Sequence, residues 1–324
     1  MGDRMKICIT GVGGFIPTNM LEYYIKNTSD EIVGITKTTQ ASYGQRVVNN
    51  LVKQYEDRLK VYYTDITDYI RLKDALDAEK PDQIIHMAAE ADVSRSFDFP
   101  IDFLRTNVIG TFHILEWLRR NRGTRMVHFS TDECFATPNH LSKEDERLDP
   151  QNLYSASKAS AEAYIGAYNA CFDTQVQIVR PVNNFGAYQG TNRLFAKTII
   201  RCLDNEPFSL FKETRTHLRW WIYALDTCSA VKYIIENGEK KGVYHITSDT
   251  AYKVEEVVFK ILDRFGKRDL FQGYSELRPK DDESYALDGS KLRDLGWKER
   301  YTFEEALDLT IQWYKENISW FGKR

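Results

Sequence analysis

The first strand and the turn after it constrain this chain more than any other segment. Lys6-Ile-Cys-Ile-Thr10 is a short apolar run that leads straight into Gly11-Val-Gly13-Gly14 and then a helical pattern opening near Phe15. Glycines at a strand-to-helix turn let the backbone approach a pyrophosphate. They also aim amide N–H groups at it from a helix N-terminus, where negative charge is favoured. Alone, such a turn is only a tight turn. At the first strand of an alternating strand–helix pattern it points to dinucleotide binding. Pro17 stands where a third glycine is usual. In a first helical turn proline costs little, because its missing N–H is not needed there.

The alternation is present. Lys6–Thr10, Glu31–Thr36, Leu59–Thr64, Gln83–Met87, Met126–Ser130 and Gln175–Arg180 read as strands, and Asn19–Lys26, Ile70–Ala78, Ile101–Arg120 and Ser155–Cys171 as helices. This pattern predicts an α/β fold of Rossmann type, a doubly wound parallel sheet with ligands at the carboxyl ends of its strands. After Pro181 the elements shorten and mix: Leu194–Leu203, Val254–Phe265 and Phe303–Tyr314 read as helices, Phe208–Phe211 and Tyr244–Ile246 as extended. Phe303, Leu307, Thr310, Ile311 and Tyr314 share one helical face, a packing pattern. The expected division is a dinucleotide-binding domain over 1–181 plus about 221–247, and a smaller mixed substrate domain over about 182–220 and 248–324.

Composition narrows the function classes. A net charge of −3 without a dense Lys/Arg block gives no indication of nucleic acid or an anionic membrane as partner. No apolar stretch approaches the roughly 20 residues that span a bilayer. The start carries no apolar leader with a cleavage site. The five cysteines, Cys8, Cys134, Cys171, Cys202 and Cys228, are scattered, and the six histidines show no ligand spacing. No metal site is expected, and the cytoplasm is the expected compartment.

The second strand runs into Thr36-Lys37-Thr38-Thr39 with no acid to accept from an adenosine ribose 2′-hydroxyl. A cation and hydroxyls there tilt the reading toward NADP over NAD, while both stay open. Asp65, after the third strand, reads equally as an adenine contact or a helix cap. Tyr154-Ser-Ala-Ser-Lys158 places a phenol and an ammonium on one helical face. A cationic neighbour favours the phenolate, which takes a proton from a sugar hydroxyl as hydride passes to the dinucleotide. Ser130-Thr131-Asp132-Glu133 follows a strand, and both carboxylates meet one substrate only if they lie beyond the strand end. Two solvated loop carboxylates are the alternative.

With these motifs assembled, the chain resembles the extended short-chain dehydrogenase/reductases, above all their nucleotide-sugar 4,6-dehydratases. The resemblance runs from the glycine loop to about Trp313. It rests on His86-Met-Ala-Ala-Glu90, Arg105-Thr-Asn107, Ser130-Thr-Asp-Glu133, Tyr154-x-x-x-Lys158, Arg180-Pro-Val-Asn183-Asn184-Phe-Gly186 and Tyr285-Ala-Leu-Asp288-x-Ser-Lys291. It implies a catalytic set of Thr131, Asp132, Glu133, Tyr154 and Lys158. Tyr154, tuned by Lys158 and aided by Thr131, takes the carbon-4 hydroxyl proton. Glu133 removes the carbon-5 proton, and Asp132, its pKa raised by burial beside Glu133, protonates the departing carbon-6 hydroxyl. The dinucleotide is recycled. Implied cofactor contacts are Gly11, Gly13, Gly14, Phe15, Ile16, Thr36, Lys37, Asp65, Ile66, Ala88, Ala89, Asn107, Tyr154 and Lys158. Implied contacts to the nucleotide-sugar substrate are Glu90, Asn184, Arg193, Leu194 and Arg219, with a structural turn as the other reading of Asn184. A homodimer packed through Ile101–Arg120 and Ser155–Cys171 is also implied.

The sequence departs from the family pattern in places. Cys134-Phe135-Ala136 replaces Val-Tyr-Gly, Phe211-Lys-Glu-Thr214 replaces a glycine-rich loop, Trp220 replaces an Asp, and Ala91 replaces a polar residue. The sugar and its nucleotide therefore stay open. The rival readings are a 5,6-dehydratase or an epimerase on the same scaffold, and a non-catalytic sensor of the dinucleotide.

Overall fold

The computed structural model describes residues 4–37, 43–135, 140–212, 215, 217–275 and 286–321. Of the residues singled out above, Thr38, Thr39, Ala136, Glu213, Thr214 and Tyr285 lie outside the described residues. Seven strands form the main sheet: β1 Lys6–Thr10, β2 Glu31–Thr36, β3 Leu59–Tyr63, β4 Gln83–His86, β5 Arg125–Phe129, β6 Val176–Pro181 and β7 Val243–Ile246. Their order is β7-β6-β5-β4-β1-β2-β3, and every neighbouring pair is parallel. The winding reverses at β1, so a crevice opens where the carboxyl ends of β1 and β4 part.

Ile7, Cys8 and Ile9 are all fully buried, the continuous apolar run of a strand covered on both faces. On one face the helices Phe15–Asn27 and Ala224–Asn237 bury Met20, Leu21, Val231 and Ile234. On the other, Tyr69–Glu79, Thr111–Arg120 and Leu153–Phe172 bury Leu72, Ile114, Leu115 and Ile165. A third core, of Phe185, Phe195, Ile199, Val258, Ile261, Leu307 and Ile311, joins the helices Leu194–Asp204, Val254–Phe265 and Phe303–Asn317. Beside it a small sheet pairs Leu218–Tyr223 with Asn183–Phe185 in parallel and with Ala251–Lys253 in antiparallel. The expected packing face holds: Leu307, Thr310, Ile311 and Tyr314 are buried.

Two differences from the sequence reading matter. The segment expected as one helix, Ile101–Arg120, is broken into Pro100–Phe103, a π-helical stretch Leu104–Gly110, and Thr111–Arg120. The cause lies in Asn107, whose side chain bonds Glu90 N and O rather than facing solvent, while Thr111 Oγ1 donates to Asn107 O. Side-chain bonds of this kind widen the helical ladder at functional positions. The sequence reading also assigns no element to Tyr43–Gln54, which is helical and buries Val47, Val48 and Leu51. Its polar composition hides a narrow apolar stripe.

Candidate active site

Gly11 and Gly13 adopt φ of +82° and +96°, and a Cβ on Gly11 would lie 2.8 Å from Ala88 Cα. Only glycine lets β1 and the loop after β4 approach this closely. Thr10 stitches the same junction, its hydroxyl accepting from Met87 N and Ala88 N at 3.1 Å each. Gly14 precedes the helix Phe15–Asn27 without a side-chain cap, so Phe15 and Ile16 open that helix toward the crevice. A cavity of about 760 Å³ follows, lined by Gly11, Gly13, Gly14, Thr36, Lys37, Asp65, Ile66, Ala88 and Ala89. Thr106, from the Arg105-Thr-Asn107 motif, also lines it, as do Gln45, Tyr63, Asp68 and Arg71, which carry no motif that marks them in the sequence. This crevice fits a dinucleotide: glycine backbone under the pyrophosphate, a free helix N-terminus, and polar residues at the β2 and β3 ends.

Three of the expected cofactor residues make further contacts within the protein. Asp65 Oδ1 accepts from Thr67 N, whereas the helix Tyr69–Glu79 is capped by Asp68. Lys37 is paired with Glu90 at 2.7 Å. Asn107 reaches the site indirectly, holding Glu90 and donating to Ser157 Oγ at 2.8 Å.

Beyond β5 the chain turns sharply. Thr131 is extended and caps a short 3₁₀ turn, Asp132–Cys134, so both carboxylates leave the strand at its carboxyl end. Thr131 Oγ1 donates to Asp132 Oδ1 at 3.2 Å and accepts from Glu133 N at 3.3 Å. Asp132 is 4% exposed, and its Oδ2 has no partner among the described residues. Burial raises Asp132 to about 6 against the opposing Thr131 bond and the Arg219 charge. Burial alone does this, without the Glu133 charge expected from the sequence. Glu133 Oε2 accepts from Asn152 Nδ2 at 3.2 Å. Asn152 also opens the helix Leu153–Phe172 through a reciprocal cap with Ser155. The Asn152-x-x-Ser155 spacing that spans Tyr154 is the sequence signal that marks this residue.

Tyr154 and Lys158 lie one turn apart on that helix, both buried. Burial first, then the Glu133 charge, push the Tyr154 phenol far above its usual value, and its hydrogen bond with Thr131 opposes them. Burial brings Lys158 down to about 8, with Cys134 and Glu162 pulling it back up. The Cys134 thiol points inward, 3.6 Å from Ser130 Oγ and 3.8 Å from Ser155 O, and burial holds it up at about 12. It stays a packed thiol.

Of the expected substrate contacts, Glu90 is held by Lys37 and, at 2.6 Å, by Arg95. Arg193 precedes the helix Leu194–Asp204 and donates to Ala91 O at 2.9 Å, while Leu194 packs on the third core. Arg219 lies in Leu218–Tyr223 close enough for its charge to act on Asp132. Asn184 donates to Val182 O at 2.8 Å and accepts from Thr227 at 2.6 Å.

A family model described as GDP-mannose 4,6 dehydratase matches residues 8–310. The chain belongs to this family. Among its relatives, the dTDP-glucose 4,6-dehydratase of Salmonella typhimurium is 30% identical, over 98% of this chain and 94% of that protein. The low-salt glycan biosynthesis protein Agl12 of Haloferax volcanii is 33% identical, over 96% of this chain and 98% of its own. The structure of DesIV, a dTDP-glucose 4,6-dehydratase from Streptomyces venezuelae with NAD and TYD bound, superposes with a TM-score of 0.88 at 30% identity and covers 98% of both chains. The expected tilt toward NADP finds no support in this family comparison or in the Lys37–Glu90 pair. Among the described residues no helix is long and apolar enough to cross a membrane.

Proposed function

We propose that this protein is a nucleotide-sugar 4,6-dehydratase that keeps NAD bound and yields a 4-keto-6-deoxy sugar nucleotide. The observation that carries the reading is the Asp132–Cys134 turn. It puts a buried carboxyl at about 6, with one oxygen unpartnered among the described residues, next to a carboxylate held by Asn152 and against the Tyr154 phenol. A 4-epimerase has no need of an acid for carbon 6.

NAD, when bound, supplies the hydride acceptor for carbon 4 and the hydride returned at carbon 6, so no net redox change results. Tyr154, hydrogen-bonded to Thr131, accepts the carbon-4 hydroxyl proton, and the Lys158 ammonium on the same helical face favours its ionised form. The resulting ketone acidifies the carbon-5 hydrogen, which Glu133 removes. Asp132 delivers its proton to the carbon-6 hydroxyl as that leaves. Arg193 and Arg219 supply charge for the substrate pyrophosphate. NAD rather than NADP is preferred because Glu90 neutralises Lys37, the cation nearest the end of β2. Residues of the third core, from about 182–220 and 248–324, form the nucleotide-sugar side.

A homodimer accounts for the large apolar side chains left exposed on 97–109 and on the helix Leu153–Phe172, among them Phe97, Phe99, Ile101, Leu104 and Tyr164. The deciding experiment is mass spectrometry of purified protein with UDP-GlcNAc, UDP-glucose, dTDP-glucose and GDP-mannose, beside Glu133→Gln. Loss of one water from one substrate, absent in the variant, with solvent deuterium at carbon 5, is expected. Unchanged mass across the panel rejects the dehydratase for these substrates.

A further inference from the structure

His128 lies in β5, three residues before Thr131, and is fully buried. Its Nε2 is 3.4 Å from Lys158 Nζ, and its Nδ1 has no partner among the described residues. Burial, then the Lys158 charge and His86, push His128 far below its usual value, so the ring is neutral. One nitrogen therefore carries a proton and the other a lone pair. Lys158 is an ammonium at pH 7, and an ammonium has three donors and no acceptor. Nε2 must then present its lone pair, which leaves the proton on the unpartnered Nδ1. A buried donor is normally paired, so the Lys158 contact is what selects this tautomer.

The neighbouring imidazole takes the opposite form. His86 stands 5.2 Å from His128, ring centre to ring centre. Thr10 Oγ1 uses both lone pairs on Met87 N and Ala88 N, so its hydrogen goes to His86 Nδ1, 2.8 Å away. His86 Nε2 then carries the proton and donates to Thr111 Oγ1 at 3.0 Å, which itself donates to Asn107 O. His86 is thus committed elsewhere. The groups whose charge acts on Lys158 are Cys134 from the turn and Glu162 from its own helix.

We propose that His128 is a positioning residue for the Tyr154–Lys158 pair: as a neutral Nδ1–H imidazole it accepts one hydrogen of the Lys158 ammonium and leaves the other two for Tyr154 and a dinucleotide ribose. This rests on Tyr154 and Lys158 being the reacting pair, yet its first test does not depend on turnover. Long-range 15N–1H correlation spectra of the labelled full chain, as purified with its cofactor, report the tautomer of each histidine, and His128→Gln assigns the resonances. The expected pattern is Nδ1–H with Nε2 as acceptor, unchanged down to pH 5. An Nε2–H pattern, or a ring that protonates near pH 6, overturns the proposal.

The second test compares His128→Phe, which removes the acceptor, with His128→Gln, which offers an amide oxygen. Losing the acceptor disfavours the ammonium. The alkaline limb of kcat in the Phe variant is therefore expected about one pH unit lower, with KM little changed and the limb largely restored in the Gln variant. A purely structural role lowers the melting temperature of both variants without moving the limb, and that result also overturns the proposal. If no substrate turns over, the tautomer spectrum still decides, and only the dehydratase reading is lost.

Discussion

Asp132→Asn offers a test of the general-acid assignment that needs no substrate. Burial holds Asp132 at about 6 in the folded chain, against about 3.9 for an unfolded aspartate. The folded state therefore grips this proton more tightly than the unfolded one. The stability this contributes is full below about pH 4 and is lost as pH rises through about 6. Two pKa units correspond to about 3 kcal/mol, of which about 1.4 kcal/mol falls between pH 5 and pH 8. Asparagine keeps the shape and does not ionise, so the variant escapes this loss. Urea unfolding of parent and variant at both pH values is the assay. Relative to the parent, Asp132→Asn should gain about 1–1.5 kcal/mol on going from pH 5 to pH 8 while losing dehydration. An identical difference at the two pH values refutes the raised pKa, and with it the argument that burial readies Asp132 to act as an acid.

Further outcomes follow from other contacts. Glu162→Gln strands the buried Arg180, which the carboxylate now grips with bonds of 3.1 and 2.7 Å, and should cost about 3–5 kcal/mol by denaturant unfolding, while replacing both partners with methionine should cost far less. Glu90→Gln releases Lys37 and should raise the NADP-to-NAD affinity ratio about two- to fivefold by isothermal titration, a modest effect because Lys37 is largely exposed. Gly11→Ala forces a Cβ to 2.8 Å from Ala88 Cα at positive φ and should empty the protein of NAD, read as nucleotide released on denaturation, with the far-ultraviolet circular dichroism retained.

Much of this site is legible in the sequence because its parts are local. The strand Lys6–Thr10, the glycine turn and the Tyr154–Lys158 spacing each announce themselves within a few residues, and the structure places all three at the carboxyl edge of one sheet. What stays hidden is made of distant pairings. Lys37 reads as a free cation until Glu90, 53 residues away, is brought against it. Asn107 gives no sign in the sequence of its bonds to Glu90 and Ser157, which form at the π-helical stretch. His128 looks like one more strand residue, and only burial against Lys158 gives it a task.

The three groups that carry the proposed chemistry share one leading cause for their shifts. Burial ranks first for Asp132, Tyr154 and Lys158, and in each it favours the uncharged form. For Asp132 this serves the reaction, since it must keep a proton to give; for Tyr154 it opposes the reaction, since only the phenolate can take the carbon-4 hydroxyl proton. For Lys158 it works against the reaction, since only the ammonium stabilises a phenolate. At about 8 it stays charged near neutral pH by a margin of roughly one unit, and a cationic nicotinamide beside it would narrow that margin further. Something must hold the charge in place from behind. Glu162 does so through its carboxylate, one turn along the helix, and Arg180 tempers that help by claiming both carboxylate oxygens. The lone pair of His128 adds a further support, and it costs no added charge in a site that already disfavours charge. Reactivity at Tyr154 therefore depends on residues that never meet the sugar.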